Sequence, residues 1–135
     1  MDHVAREFSV IHRRMASNID KALKKLDIPY GQFMFILCIC ENAGLSQEKL
    51  SCELQMDKGF VARTVKCLEE KGFVRRSPSP DDRRQNQLFP TEKAERAYPE
   101  IIETLREQEQ KVIGDLSESE AYLLRVLLGK ILKNL

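Results

Sequence analysis

Histidine is scarce in this chain: His3 and His12 are the only two among its 135 residues. No acid or nucleophile stands out beside His12 in the sequence, so no acid–base pair or triad is read around it. The paired glutamates of the later segments read as a solvated helix face, and no enzymatic activity is expected. A long apolar run is also missing. Phe33 to Cys40, FMFILCIC, is the most apolar stretch, but it is too short to span a bilayer and is flanked by Gln32 and Glu41. No secretory leader is recognisable, so a cytoplasmic protein is expected, with its four cysteines as reduced thiols and no disulfide framework. Those cysteines make no zinc pattern. Cys38 and Cys40 face nearly opposite sides of one helix, and Cys52 and Cys67 fall on different helices with no histidine near in sequence. No metal or cofactor is expected. Internal repeats and low-complexity segments are absent, and the only linker-like piece is 77–82, SPSPDD. Bulk charge is nearly absent too: a formal net charge of +1 gives no argument for nucleic acid.

The distribution of charge does. Lys58, Arg63, Lys66, Lys71, Arg75, Arg76, Arg83 and Arg84 crowd the middle of the chain, while glutamates gather after residue 91. A local basic face is what phosphate neutralisation needs. The stretch that carries it, 46–90, reads as a short helix, a tight turn, a longer helix and a hairpin. Ser46 caps the first helix, with Leu50 and Leu54 on its inner face. Asp57 caps the second, where Val61, Val65 and Leu68 recur at helical spacing. Gly72 supplies a left-handed stop. Phe73-Val74-Arg75-Arg76 is a strand, Ser77-Pro78-Ser79-Pro80 a break, and Gln87-Leu88-Phe89 the return strand. This is a winged helix-turn-helix, whose second helix enters a DNA major groove.

The flanking segments are helical. Val4, Phe8, Ile11, Met15, Ile19, Leu23 and Leu26 step by threes and fours along a first amphipathic helix. Residues 30–42 are apolar nearly all round and belong in the middle of the fold. Thr91 opens a long helix expected to run to about Leu116, with a bend or break at Pro99. Ser117 and Glu120 form a capping box for a last helix rich in leucine. The expected fold is therefore mainly α with a small β-hairpin. Residues 1–135 form a single domain, with 29–90 as the DNA-binding lobe and 1–28 and 91–135 as dimerisation helices. The terminal stripes are broader than one partner helix covers, and a second copy of the chain would cover the surplus.

The run LSQEKLSCELQMDKGFVARTVKCLEEKGFVRR, the wing DDRR at 81–84 and PTEKA at 90–94 resemble the MarR family, the multiple-antibiotic-resistance type of transcriptional regulator. The order of helices matches over essentially the whole chain. The resemblance implies a homodimer that binds a palindromic operator, mostly represses, and lets go when a small, often phenolic ligand binds or a cysteine is oxidised. A ligand at the joint between the dimer helices and the reading lobes would act by changing the spacing of the two reading heads. Three departures stand out. Gly59 and Phe60 open the recognition helix where small polar residues are common, Ala94 replaces the usual glycine of the wing exit, and the first helix lacks the reactive cysteine of the peroxide-sensing branch.

With Val61, Val65 and Leu68 inward, Lys58, Ala62, Arg63 and Lys66 point outward, and Thr64 lies at the boundary. Arg63 is the base reader, its planar fork matching guanine O6 and N7. Lys58 and Lys66 hold phosphates. Phe60 either touches a thymine methyl or packs under the helix. Arg83 and Arg84 at the tip enter the minor groove. Asp82, as the family's Asp-Arg pair implies, holds one of them by a charge-assisted bond. Ser46 and Gln47 offer donors to a phosphate at a helix start. Arg75 and Arg76 flank the groove, or one of them pairs with a glutamate. Cys67, near Lys66 and Lys71, is the candidate redox thiol. The family's ligand crevice points to His12, Tyr30, Phe33 and Tyr98. The rival reading is a winged-helix interaction module in a larger assembly that never reads bases.

Overall fold

A computed structural model describes residues 3–135, the side chain of Tyr30 excepted, and in it six α-helices and one hairpin follow one another in the order expected. Helix α1, Val4–Leu23, does not run smoothly to Leu26. It tightens into a 3₁₀ turn over Lys24–Leu26 and stops at Asp27, whose backbone is left-handed at φ 55°. Lys71 fixes that stop from outside, with Nζ 3.2 Å from the Asp27 carbonyl and 3.7 Å from its carboxylate. Pro29 then opens α2, Tyr30–Glu41.

The caps fall where the sequence puts them. Ser46 Oγ accepts the Lys49 N–H at 3.0 Å and starts α3, Gln47–Leu54. Asp57 Oδ2 accepts the Phe60 N–H at 3.1 Å and starts α4, Lys58–Glu70. Thr91 Oγ1 accepts the Ala94 N–H at 3.3 Å at the head of α5, Glu92–Ile113. Ser117 and Glu120 exchange both bonds of the capping box that begins α6, Glu118–Lys133. The expected break at Pro99 does not occur: α5 is a single helix through it. Pro99 is exposed while Ala97 and Ile101 are locked in the core, and that packing holds the helix through the missing N–H.

Strand β1 is Val74–Pro78 and β2 is Asn86–Pro90, antiparallel, with Arg76 opposite Leu88 and Pro78 opposite Asn86. The break expected at Ser77 comes later, because Ser77 still pairs with Gln87 and Pro78 occupies the last rung, where a missing N–H costs little. The hairpin is also tied to the entry of α3. Gly44 N–H meets the Leu88 carbonyl at 2.7 Å, Leu88 N–H meets the Leu45 carbonyl at 2.9 Å, and Ser46 bridges to Gln87.

Helix α2 is the hub, with Phe33, Phe35, Ile36, Leu37 and Ile39 all buried. Ile19 and Leu23 from α1, Leu50 from α3, Val61, Val65 and Leu68 from α4, and Ala94, Ala97 and Ile101 from α5 close around it. The outer helices are left unfinished. Val4, Phe8 and Ile11 of α1 stay exposed, and α6 buries none of its residues although Leu123, Leu127, Leu128, Ile131 and Leu132 line it. Among the described residues no helix is long and apolar enough to cross a membrane.

Candidate nucleic-acid interface

Burying Val61, Thr64, Val65 and Leu68 fixes the rotation of α4 and turns Lys58, Gly59, Arg63 and Lys66 out to solvent, with Ala62 half-buried beside them. Thr64, expected at the boundary, belongs to the core. Of the outward cations, Lys58 is drawn to Glu48 on α3, at 3.2 Å. Arg63 and Lys66 have no carboxylate within 4.0 Å among the described residues. Phe60 is divided between core and solvent. Its ring meets buried Phe35 edge-on, centroids 6.3 Å apart, yet 43% of the residue remains exposed.

The wing tip is built from backbone bonds. Ser79 N–H reaches the Gln85 carbonyl at 2.9 Å and Gln85 N–H the Asp82 carbonyl at 3.0 Å. Asp82 does not hold a guanidinium, as the family pattern had suggested; its Oδ1 accepts the backbone N–H of Arg84 at 2.9 Å. A short acid two residues ahead of an N–H closes an Asx turn, and that turn leaves both arginine side chains free. Arg83 and Arg84 are exposed and unpaired among the described residues.

The two strand arginines divide. The Arg75 guanidinium lies over the Phe89 ring, 4.6 Å from its centroid, and remains on the exposed face. Arg76 is the one that pairs with a glutamate: Nε and Nη2 contact the two carboxylate oxygens of Glu69 at 3.1 and 3.0 Å. Hydrogen bonds from Arg76 hold the Glu69 carboxyl below its ordinary range and raise Arg76 in turn.

One polar cleft, of about 250 Å³, joins these parts. It is lined by Gln47 and Ser51 of α3, Lys58 of α4, and Arg84 and Asn86 of the wing, with Ser46 at its edge. Ser51 is only 5% exposed, and among the described residues neither its hydroxyl nor the buried Oε1 of Gln47 has a partner. Two orphan polar atoms, two cations and the N–H groups of a helix start suit the space to an anion, against one lining carboxylate, Glu48, which is paired with Lys58. Ser51 was not among the expected residues. Its signal was faint: a serine one turn after Gln47 on the inner side of a short helix.

Phe33 is core, His12 is exposed on α1, and Tyr98 donates its hydroxyl to Glu41 at 2.9 Å. The side chain of Tyr30 lies outside what is described. An apolar cavity of about 240 Å³ lies between α1, α5 and α6, lined by Met15, Leu105, Val112, Leu124 and Leu128 among others. Cys67 is half-buried and accepts a weak bond from Gln32 Nε2 at 3.4 Å, while Lys71 is turned away toward Asp27; the exposed thiol is Cys52. Among the described residues no group of three His, Cys, Asp or Glu is placed to hold a metal.

Residues 28–85 match the family model described as the MarR family. The chain is 30% identical over 135 residues to an HTH-type transcriptional regulator of Bacillus subtilis, YybA, covering all of this chain and 90% of that one. Among solved structures it superposes on the transcriptional regulator SlyA with a TM-score of 0.93, at 31% identity over 98% of this chain and 94% of the other. A MarR-family regulator from Listeria monocytogenes, solved with a 26mer DNA, gives a TM-score of 0.90 at 32% identity, covering 99% and 89%. Fold, helix order, recognition helix and wing agree with these likenesses, and the chain belongs to the MarR family of transcriptional regulators.

Proposed function

We propose that the protein is a cytoplasmic, sequence-specific DNA-binding regulator that grips an inverted-repeat operator as a homodimer and represses while bound. One observation carries the reading: Lys58 of the recognition helix and Arg84 of the wing line the same cleft, so helix and wing bring their cations to one side of the molecule. In the major groove Arg63 meets a guanine edge, and Lys66 and Lys58 meet phosphates. Arg83 and Arg84 reach the neighbouring minor groove, where narrow width focuses negative potential. The cleft at the start of α3 seats a backbone phosphate between Gln47, Ser51, Lys58 and Arg84. Arg75 stays available on the exposed face, whereas Arg76 braces the wing against α4.

Dimerisation is supported by the apolar surface left on α1 and α6, and it would set two recognition helices against two half-sites. The apolar cavity beneath α6 is the site we assign to a small aromatic effector. A cavity of about 150 Å³ already holds benzene in a well-packed protein. An effector bound there would favour a spacing of the reading heads that mismatches the operator. A protein-interaction module that never reads bases lacks support: the relatives are regulators, and one of them was solved on DNA.

The deciding experiment is retention of genomic fragments by the purified protein across a salt series. Retention of short inverted repeats is expected, with Arg63→Ala costing about 1–3 kcal/mol on the specific site. Equal binding of every fragment, untouched by Arg63→Ala, would leave only non-specific charge attraction.

A further inference from the structure

We infer that the start of the recognition helix reads a thymine methyl group beside a guanine, with Phe60 as the methyl contact and Arg63 as the guanine contact. The inference rests on the operator-binding reading and specifies its chemistry. A large apolar ring left 43% exposed is out of place on a face otherwise suited to phosphates. The ring is not loose. It is braced edge-on against buried Phe35 at an interplanar angle of 64°, and the Phe60 N–H is held by Asp57 at 3.1 Å. Little ordering entropy remains to be lost when something covers it.

Gly59 leaves room for Arg63 at the same end of the helix. A β-carbon at position 59 would sit 3.3 Å from Arg63 Nη1 and 3.1 Å from Asp57 Oδ2. The guanidinium therefore lies back over the bare glycine toward the start of the helix, the end that meets base edges in a helix-turn-helix. Lys58, which would otherwise crowd this end, is drawn aside to Glu48. What the helix offers first is thus bare backbone, a rigid apolar edge and an unpaired planar fork. Side chains three residues apart are neighbours on a helix, about 5–6 Å between β-carbons, a span that suits adjacent base pairs. In the major groove thymine alone among the four bases carries a methyl group, and guanine alone presents the N7 and O6 acceptor pair that a guanidinium fork matches.

The test uses the full chain and duplexes enriched by it from a random pool. These are resynthesised one position at a time with uracil for thymine, which removes only the methyl, or 7-deazaguanine for guanine, which removes only N7. A single uracil in one half-site is expected to weaken wild-type binding about fourfold, the equivalent of ~0.8 kcal/mol for a buried methyl. Phe60→Ala should bind thymine and uracil duplexes alike, and Arg63→Ala should lose sensitivity to 7-deazaguanine at the adjacent position. Phe60→Leu, which keeps an apolar contact with Phe35, serves where the alanine variant does not fold, and should retain only part of the discrimination. Wild-type protein indifferent to every uracil, or a uracil penalty undiminished in the Phe60 variants, overturns the inference and leaves operator binding intact. A pool that yields no enriched sequence overturns the operator reading itself.

Discussion

Arg76 and Glu69 form a two-pronged ion pair across the joint between wing and recognition helix, with contacts of 3.1 and 3.0 Å. The parallel bonds fix direction as well as distance, so the pair sets the angle at which β1 leaves α4. Both side chains are about a third exposed, and solvent screening limits the stabilisation to about 0.5–1 kcal/mol. The folded carboxyl titrates below its ordinary 4.5, so the contribution is complete above that value and is lost as pH falls through the depressed one. Glu69→Gln is expected to lower the melting temperature slightly at pH 7 and hardly at all at acid pH. Melting curves of both proteins between about pH 3 and 7 check this. Operator affinity should fall as well, because the wing loses its brace to the recognition helix.

A carboxylate stands where a phosphate is expected. Glu48 holds Lys58 at 3.2 Å on the wall of the polar cleft, so binding a DNA phosphate there requires the lysine to change partners. Glu48→Gln should therefore strengthen binding to every sequence by a few fold and steepen its salt dependence. Lys58→Ala should do the reverse, flattening the slope of log K against log salt by about one. Fluorescence anisotropy of specific and random duplexes at several salt concentrations gives both slopes.

Ser51→Ala separates the orphan hydroxyl from the charges around it. Its oxygen is buried without a partner, so removing it should leave stability unchanged or raise it slightly. If a phosphate is the missing partner, DNA affinity should drop by about 0.5–1.5 kcal/mol, as for one hydrogen bond. Thermal melts and binding isotherms of the same variant give the two numbers.

What could be read from the sequence, and what could not, divides along the range of the interactions. Ser46, Asp57, Thr91 and Ser117 each act within three residues of themselves, and all four caps are where spacing puts them. The inward set of α4 follows from period alone. The features that spacing missed depend on distant partners. Leu26 fits a continuing helix, and it takes Lys71, far along the chain, to hold the turn at Asp27. Pro99 reads as a breaker until Ala97 and Ile101 are seen locked in the core on either side of it. Asp82 and its arginines are adjacent, yet the choice between a side-chain and a backbone bond is made by the turn geometry of the tip. The cleft could not be foreseen at all, because Ser51, Lys58 and Arg84 meet only when three elements are assembled.

The last prediction concerns the face of α6. Leu127 is 45% exposed in the protomer, and its neighbours Leu123, Leu128 and Ile131 are exposed with it. Fully burying a leucine is worth about 1.5–3 kcal/mol, so covering the part of Leu127 still exposed is worth about 1 kcal/mol, and the outer side of the stripe stays uncovered among the described residues. Leu127→Asp should leave the helical content of the protomer unchanged, because no intramolecular contact in the core is lost. In a two-fold dimer the same change appears twice in one interface, so the penalty for burying a carboxylate is doubled. Sedimentation should show the wild type as a dimer and the variant as a monomer. With one reading head per particle, binding to an inverted repeat should fall to the level of a single half-site. A variant that stays dimeric would move the interface away from α6.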